Sequence, residues 1–195
     1  MRTILGSRLL LALIAIVFGL ELAKGAIGSP PALLGLGALP DSGELHGQYW
    51  RLISFGFLHF DVTHVALNAA LLFWVGPIVE RRAGTAWFMA LFMGASVMSG
   101  IGILLKHQLG PAEGVSVGAS GGVFGLLGAA LVLAFRVPSQ GHAVRVWLAL
   151  VLVGGLAYSF LPGVSMIGHV CGLIVGAMAA LFIPPATPAP SFAGA

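Results

Sequence analysis

Long apolar runs, separated by short clusters that hold almost all of the charge, restrict this chain more than any other feature. They cover about Leu9–Ala23, Val62–Val79, Ala86–Leu105, Ser120–Phe135, Ala143–Phe160 and Ile167–Ile183. An apolar stretch of about 20 residues can cross a bilayer as a helix, and in lipid a helix satisfies its backbone N–H and C=O groups from within its own segment. Only 8% of the 195 residues are charged and 58% are hydrophobic, whereas roughly a quarter of a soluble domain is charged. The reading is an all-α, multi-pass membrane protein with six transmembrane helices. One bundle domain is expected over residues 1–183, followed by a Pro/Ala-rich flexible tail over 184–195. Several runs hold only 16 to 18 residues, short for a hydrocarbon core about 30 Å thick at a rise of about 1.5 Å per residue. Tilt mismatch or local thinning of the bilayer is therefore expected.

The first run opens after Arg2 and Arg8 and closes at Glu21 and Lys24, an arrangement shared with cleaved signal peptides. A retained helix is preferred, because Glu21 fits poorly before a cleavage site and no A-x-A stretch closes the run. Residues 25–61 form a long linker containing "GSPP", "LPDSGELHGQYWR" and "FLHFD". It is too polar to span, yet Leu33, Leu34, Trp50, Ile53, Phe55 and Phe57 are too apolar for water, so it belongs in the interface or against the bundle. With six spans, Arg2, Arg8, Arg81, Arg82, Arg136 and Arg145 fall on one side; Lys24, Arg51 and Lys106 fall on the other, with most of the acids. The positive-inside rule then places both termini in the cytoplasm. Glu80, Arg81 and Arg82 read as topological anchors, with helix packing a second reading for Glu80. The single cysteine, Cys171, permits no intrachain disulfide, and no basic run of nucleic-acid type is present.

Polar side chains inside spans are costly and mark candidate functional sites. Four stand out: His64 and Asn68 in the second run, Ser120 at the head of the fourth, and His169 at the head of the sixth. All four lie in the N-terminal parts of even-numbered spans, which start on the same membrane face, so they share a depth in its outer half. His64 and Asn68, four residues apart, occupy one helix face about 6 Å apart along the axis. The sixth run carries Gly168, Gly172 and Gly176, and the fourth carries Gly121, Gly125 and Gly128. Small residues at this spacing let helix backbones approach closely. That approach can bring Ser120 within hydrogen-bond reach of His169, whose imidazole would serve as base to a hydroxyl otherwise weak as a nucleophile. Taken singly, each feature has a plainer explanation: a glycine stripe that only packs, a serine bonded to its own backbone, or a His–Asn pair that only joins helices. Together they point to chemistry. A metal site fits less well, because no carboxylate other than Asp61 lies nearby and no cysteine spacing suits one.

Three segments, "YWRLISFGFLHFDVTHVALNAALLFWVGPIVERRAG" (49–84), "GASGGVFGLLGA" (118–129) and "GHVCGLIVG" (168–176), resemble the rhomboid family of intramembrane serine proteases. The family pattern is matched in order by Trp50-Arg51, His64 with Asn68, Glu80 and Arg82, Gly118-Ala119-Ser120-Gly121, and His169 with Gly172 and Gly176. Each element alone is weak; the ordered set is specific. The resemblance implies a six-transmembrane-helix rhomboid-like bundle with an interfacial first loop. It implies Ser120 as nucleophile and His169 as general base and acid, without the carboxylate of a triad. The oxyanion hole would be made by the Ser120 N–H and the side chains of His64 and Asn68, with Gly118, Gly121, Phe124 and Gly172 in support. Many bacterial members carry tyrosine where this chain has Phe124; a phenyl ring can still stack beneath the imidazole.

The implied activity is hydrolysis of peptide bonds in or near transmembrane segments of membrane-protein substrates, in the bilayer, with no cofactor and no metal. The expected location is a bacterial inner membrane. Hydrolysis needs water, so an outward opening above Ser120 is expected, covered by a mobile loop at about Leu161–Ile167 with Pro162 and Gly163. The competing reading is a catalytically silent rhomboid-like binding or quality-control protein, which would be expected to lack the serine or the histidine.

Overall fold

The computed structural model describes residues 4–40, 42–109, 114–136 and 141–184. Asp41, Glu113 and most of the expected tail, residues 185–195, lie outside the described residues. The chain is an all-α bundle, and the described residues form six long helices: α1 (Leu5–Ala23), α4 (Val62–Ala83), α5 (Thr85–His107), α6 (Ser120–Arg136), α7 (His142–Tyr158) and α8 (Met166–Ala180). Two short helices, α2 (Pro30–Leu36) and α3 (Arg51–Ser54), interrupt the long first linker. Strands β1 (Leu39–Pro40) and β2 (Val115–Ser116) pair antiparallel, with Leu39 opposite Ser116. By length and apolarity α1, α4 and α5 can each cross a membrane; α6, α7 and α8 are shorter apolar helices. The shortness of the last three matches the lengths of their apolar runs.

Helix ends depart from the apolar runs where polar groups are satisfied inside the protein. The second long helix continues past Val79 to Ala83 because Glu80 is fully buried. Its carboxylate accepts from the Gly6 N–H (2.6 Å), the Ser7 N–H (2.8 Å), the Ser7 hydroxyl (2.7 Å) and the Thr85 hydroxyl (2.7 Å). Two of these donors are N–H groups in the first turn of α1, which lack intrahelical acceptors. Glu80 therefore caps α1 and joins it to α4 and α5, which corrects its reading as a topological anchor. At the opposite end of the chain, α8 stops at Ala180 rather than Ile183. Arg136 Nη1 donates there to the carbonyls of Ala180 (2.7 Å), Leu181 (3.0 Å) and Ile183 (3.2 Å).

Helix α6 is the axis of the bundle, with nearly every residue from Gly121 to Ala130 buried. Its glycines explain the closeness of its partner α8. A Cβ at Gly172 would collide with the Gly121 carbonyl, one at Gly176 with the Gly125 carbonyl, and one at Gly128 with the Leu173 carbonyl. Such backbone-to-backbone contact is the arrangement small-residue stripes permit in membranes. Helix α7 is the least enclosed of the six: Leu148 is its only buried residue, while Leu150 and Val153 face outward.

The first linker lies against the bundle and is held by its own polar groups. Arg51 Nη1 donates to the carbonyls of Leu34 (2.7 Å) and Ala38 (2.8 Å), its Nε to Gln48 (2.6 Å), and its guanidinium stacks over Trp50. The Ser54 hydroxyl donates to the Gly37 carbonyl at 2.7 Å. The strand pair, together with a bond from the Gly118 N–H to the Phe55 carbonyl (2.9 Å), ties this linker to the segment that enters α6.

Candidate active site

Ser120 is the first residue of α6, where its own N–H has no intrahelical acceptor and the helix dipole presents partial positive charge. His169 lies in the first turn of α8, which starts at an N-cap, Ser165, whose hydroxyl accepts from the Gly168 N–H (3.2 Å). The α6–α8 glycine contact begins at Gly121, next to Ser120, and at Gly172, one turn after His169, so the two helices are already in backbone contact where the two side chains emerge. Ser120 Oγ stands 2.8 Å from His169 Nε2. The imidazole is 5% exposed and stacks on Phe124, with ring centroids 4.2 Å apart and planes within 5°. Phe124 in turn packs on α7 at Gly155, where a Cβ would press into the phenyl ring.

The opposite ring nitrogen is also engaged. Ser159, the residue that closes α7, places its hydroxyl 2.6 Å from His169 Nδ1 and 2.8 Å from the Gly155 carbonyl. Sequence reasoning missed Ser159. A serine at the end of an apolar run has no distinguishing spacing from His169, and only the turn between α7 and α8 aims it at the ring.

On α4, Asp61 caps the helix by accepting from the His64 N–H at 2.8 Å. The His64 imidazole lies against Gly118, whose φ of +131° is a conformation that side chains rarely adopt. The point where a Cβ of residue 118 would stand is 2.6 Å from His64 Nε2 and 3.7 Å from Ser120 Oγ, so glycine is what lets the imidazole share space with the serine. Asn68 is buried, and its Nδ2 has no hydrogen-bond partner among the described residues. A buried donor left unpaired costs about 1–3 kcal/mol, and a catalytic role is one reason for a protein to retain such a group. His59, which precedes α4, is fully buried edge-on to His64, with centroids 5.1 Å apart, and burial pushes its imidazole down to about 3. Its backbone N–H donates to Glu21 at 2.7 Å.

The structure thus brings Ser120, His169 and Phe124 into direct contact, sets His64 beside them through Gly118, and uses Gly121 and Gly172 as the helix crossing below. Two surface grooves, of about 360 and 260 Å³, run along the first linker against α5 and against α1; neither is lined by Ser120 or His169. The loop expected over the site is shorter than the sequence indicated, because Met166 and Ile167 already belong to α8. Among the described residues, no group of three or more His, Cys, Asp or Glu side chains could hold a metal ion.

Known proteins share this arrangement of sequence. The family model described as Rhomboid domain matches residues 46–185. The chain is 32% identical to YdcA of Bacillus subtilis (strain 168) over 136 residues, 69% of this chain and 67% of that protein. It is 31% identical to the rhomboid protease GluP of the same organism over 182 residues, 91% of this chain and 35% of GluP. With the rhomboid protease GlpG of Klebsiella pneumoniae (strain 342) the identity is 28% over 170 residues, 85% of this chain and 59% of GlpG. The chain therefore spans about a third of GluP and well under two thirds of GlpG. By the family match across most of its length, this multi-pass membrane protein belongs to the rhomboid family.

Proposed function

We propose that this chain is an intramembrane serine endopeptidase in which Ser120 and His169 form the catalytic dyad. The observation that carries the reading is the 2.8 Å approach of Ser120 Oγ to His169 Nε2 at the head of two helices held together by glycine. In the proposed reaction His169 Nε2 takes the Ser120 proton as Oγ bonds to the scissile carbonyl carbon. The imidazolium then returns that proton to the departing amine as the C–N bond breaks, leaving an acyl-serine. Water, deprotonated by the same imidazole, releases the acid and restores the serine. Negative charge on the tetrahedral carbonyl oxygen would be met by the Ser120 N–H, His64 and Asn68. Such donors act most strongly where water is excluded. The unpaired Nδ2 of buried Asn68 supports that assignment.

Substrates in this reading are membrane proteins cleaved near the outer ends of their spans, at small residues flanked by helix-weakening ones. The termini are cytoplasmic and the host membrane is a bacterial inner membrane. An impermeant thiol reagent on intact cells should then label Leu161→Cys; protection of that site with labelling at the opposite helix ends would reverse the orientation. Substrate and water enter by movement of α7 and the loop that follows it.

The decisive experiment treats the detergent-solubilised protein with a fluorophosphonate, comparing wild type with Ser120→Ala and His169→Ala. Labelling of the wild type alone is expected. Equal labelling of all three, or none of folded wild type, would favour the silent, binding-only reading.

A further inference from the structure

Ser159 makes two contacts through one hydroxyl, and the chemistry of its partners decides the direction of both. The Gly155 carbonyl, 2.8 Å away, can only accept, so it takes the single Ser159 proton. The remaining contact, at 2.6 Å to His169 Nδ1, then requires the proton to be on the imidazole. A neutral imidazole protonated on Nδ1 carries its lone pair on Nε2, the nitrogen that faces Ser120 Oγ at 2.8 Å. We infer that Ser159 is a positioning residue for the proposed protease, holding His169 in the tautomer and ring orientation that can accept a proton from Ser120.

The inference rests on the dyad reading for its kinetic consequence, although the tautomer itself does not. Three contacts fix the ring. Ser120 and Ser159 engage its two nitrogens, and the Phe124 stack fixes its plane. When Nε2 takes the Ser120 proton, Nδ1–H keeps donating to Ser159 Oγ, so the cation forms with a partner already in place. A neutral hydroxyl is a weaker partner than a carboxylate, but both can set which nitrogen bears hydrogen. Ser159 also back-bonds within its own helix, through both N–H and Oγ to Gly155. A serine present only for that bond would leave the imidazole unaffected.

The test uses the full chain labelled with 15N-histidine in detergent micelles, with the His169 signals assigned by their loss in His169→Gln. Wild-type His169 is expected to bear hydrogen on Nδ1 and none on Nε2. Ser159→Ala should shift population toward the Nε2-protonated form, and Ser159→Thr, which keeps the hydroxyl, should restore the wild-type pattern. On a reconstituted substrate, Ser159→Ala should lower kcat by roughly 10-fold or more with KM little changed, as expected for impaired proton transfer, and Ser159→Thr should recover most of it. A wild-type imidazole protonated on Nε2, or a Ser159→Ala protein with unchanged tautomer and unchanged kcat, would overturn the inference. The wild-type tautomer is read without any change at Ser159, so instability of Ser159→Ala leaves the test intact. Failure of wild type to react with a fluorophosphonate while Nδ1 bears hydrogen would count against the protease reading and leave the tautomer assignment standing.

Discussion

Phe124 and His169 lie face to face, 4.2 Å apart at their centroids and parallel to within 5°, although they come from different helices. The phenyl ring is itself pinned by Gly155 of α7, so three helices determine the plane of one imidazole.

Stacking requires a flat ring at position 124 but no hydroxyl. Phe124→Tyr is therefore expected to retain activity within a few-fold. Phe124→Leu, which fills the space without offering a flat face, should lower kcat about 10-fold or more with little effect on KM, because a small misplacement of a catalytic group is expensive in rate. Kinetics on a reconstituted transmembrane substrate would check both. Equal activity in wild type and Phe124→Leu would show that the stack does not orient the ring.

Asn68 presents a buried amide donor with nothing to receive it among the described residues. If that donor serves the transition state, Asn68→Ala should lose about 100-fold to 1000-fold in kcat. Stability should be unchanged or slightly improved, because an unpaired buried group is removed. Paired measurements of turnover and thermal unfolding in detergent separate these effects. A loss of stability with turnover retained would assign Asn68 to helix packing instead.

Glu80 gathers four donors, the Gly6 N–H, the Ser7 N–H and the Ser7 hydroxyl of α1 and the Thr85 hydroxyl at the start of α5, so removing it strands all of them. Each buried donor left unsatisfied costs about 1–3 kcal/mol. Glu80→Ala should therefore lower the thermal midpoint strongly, and Glu80→Gln, which keeps one acceptor oxygen, by less. Material that remains folded at low temperature should label with fluorophosphonate at the wild-type rate, since Glu80 lies at the far end of α4 from His64. A midpoint unaffected by Glu80→Ala would remove its role as the cap of α1.

Helix α7 has a single buried residue within its span, and this motivates its assignment as the moving element at the site. A disulfide joining the outer turns of α7 and α4 should suppress cleavage of a transmembrane substrate by at least about 10-fold, with recovery on reduction. A small fluorophosphonate should still react. Undiminished cleavage in the cross-linked protein would place substrate entry elsewhere.

Apolar runs, helical spacing and the glycine stripes made the bundle, its short later helices and the α6–α8 partnership legible in the sequence, because lipid leaves the backbone few alternatives and small residues let helix backbones approach closely. His64 and Asn68 fell on one face by the helical period, and the depth shared by the polar residues followed from the alternation of spans. Their contacts did not follow. The tie between Glu80 and α1 joins residues more than 70 positions apart, and no local pattern separates a buried carboxylate from an anchoring one. Ser159 likewise reaches His169 only because the turn after α7 returns the chain into α8. Periodicity specifies which face a side chain occupies; the angles at which helices meet and turns reverse decide what it touches, and those arise from packing along the whole chain.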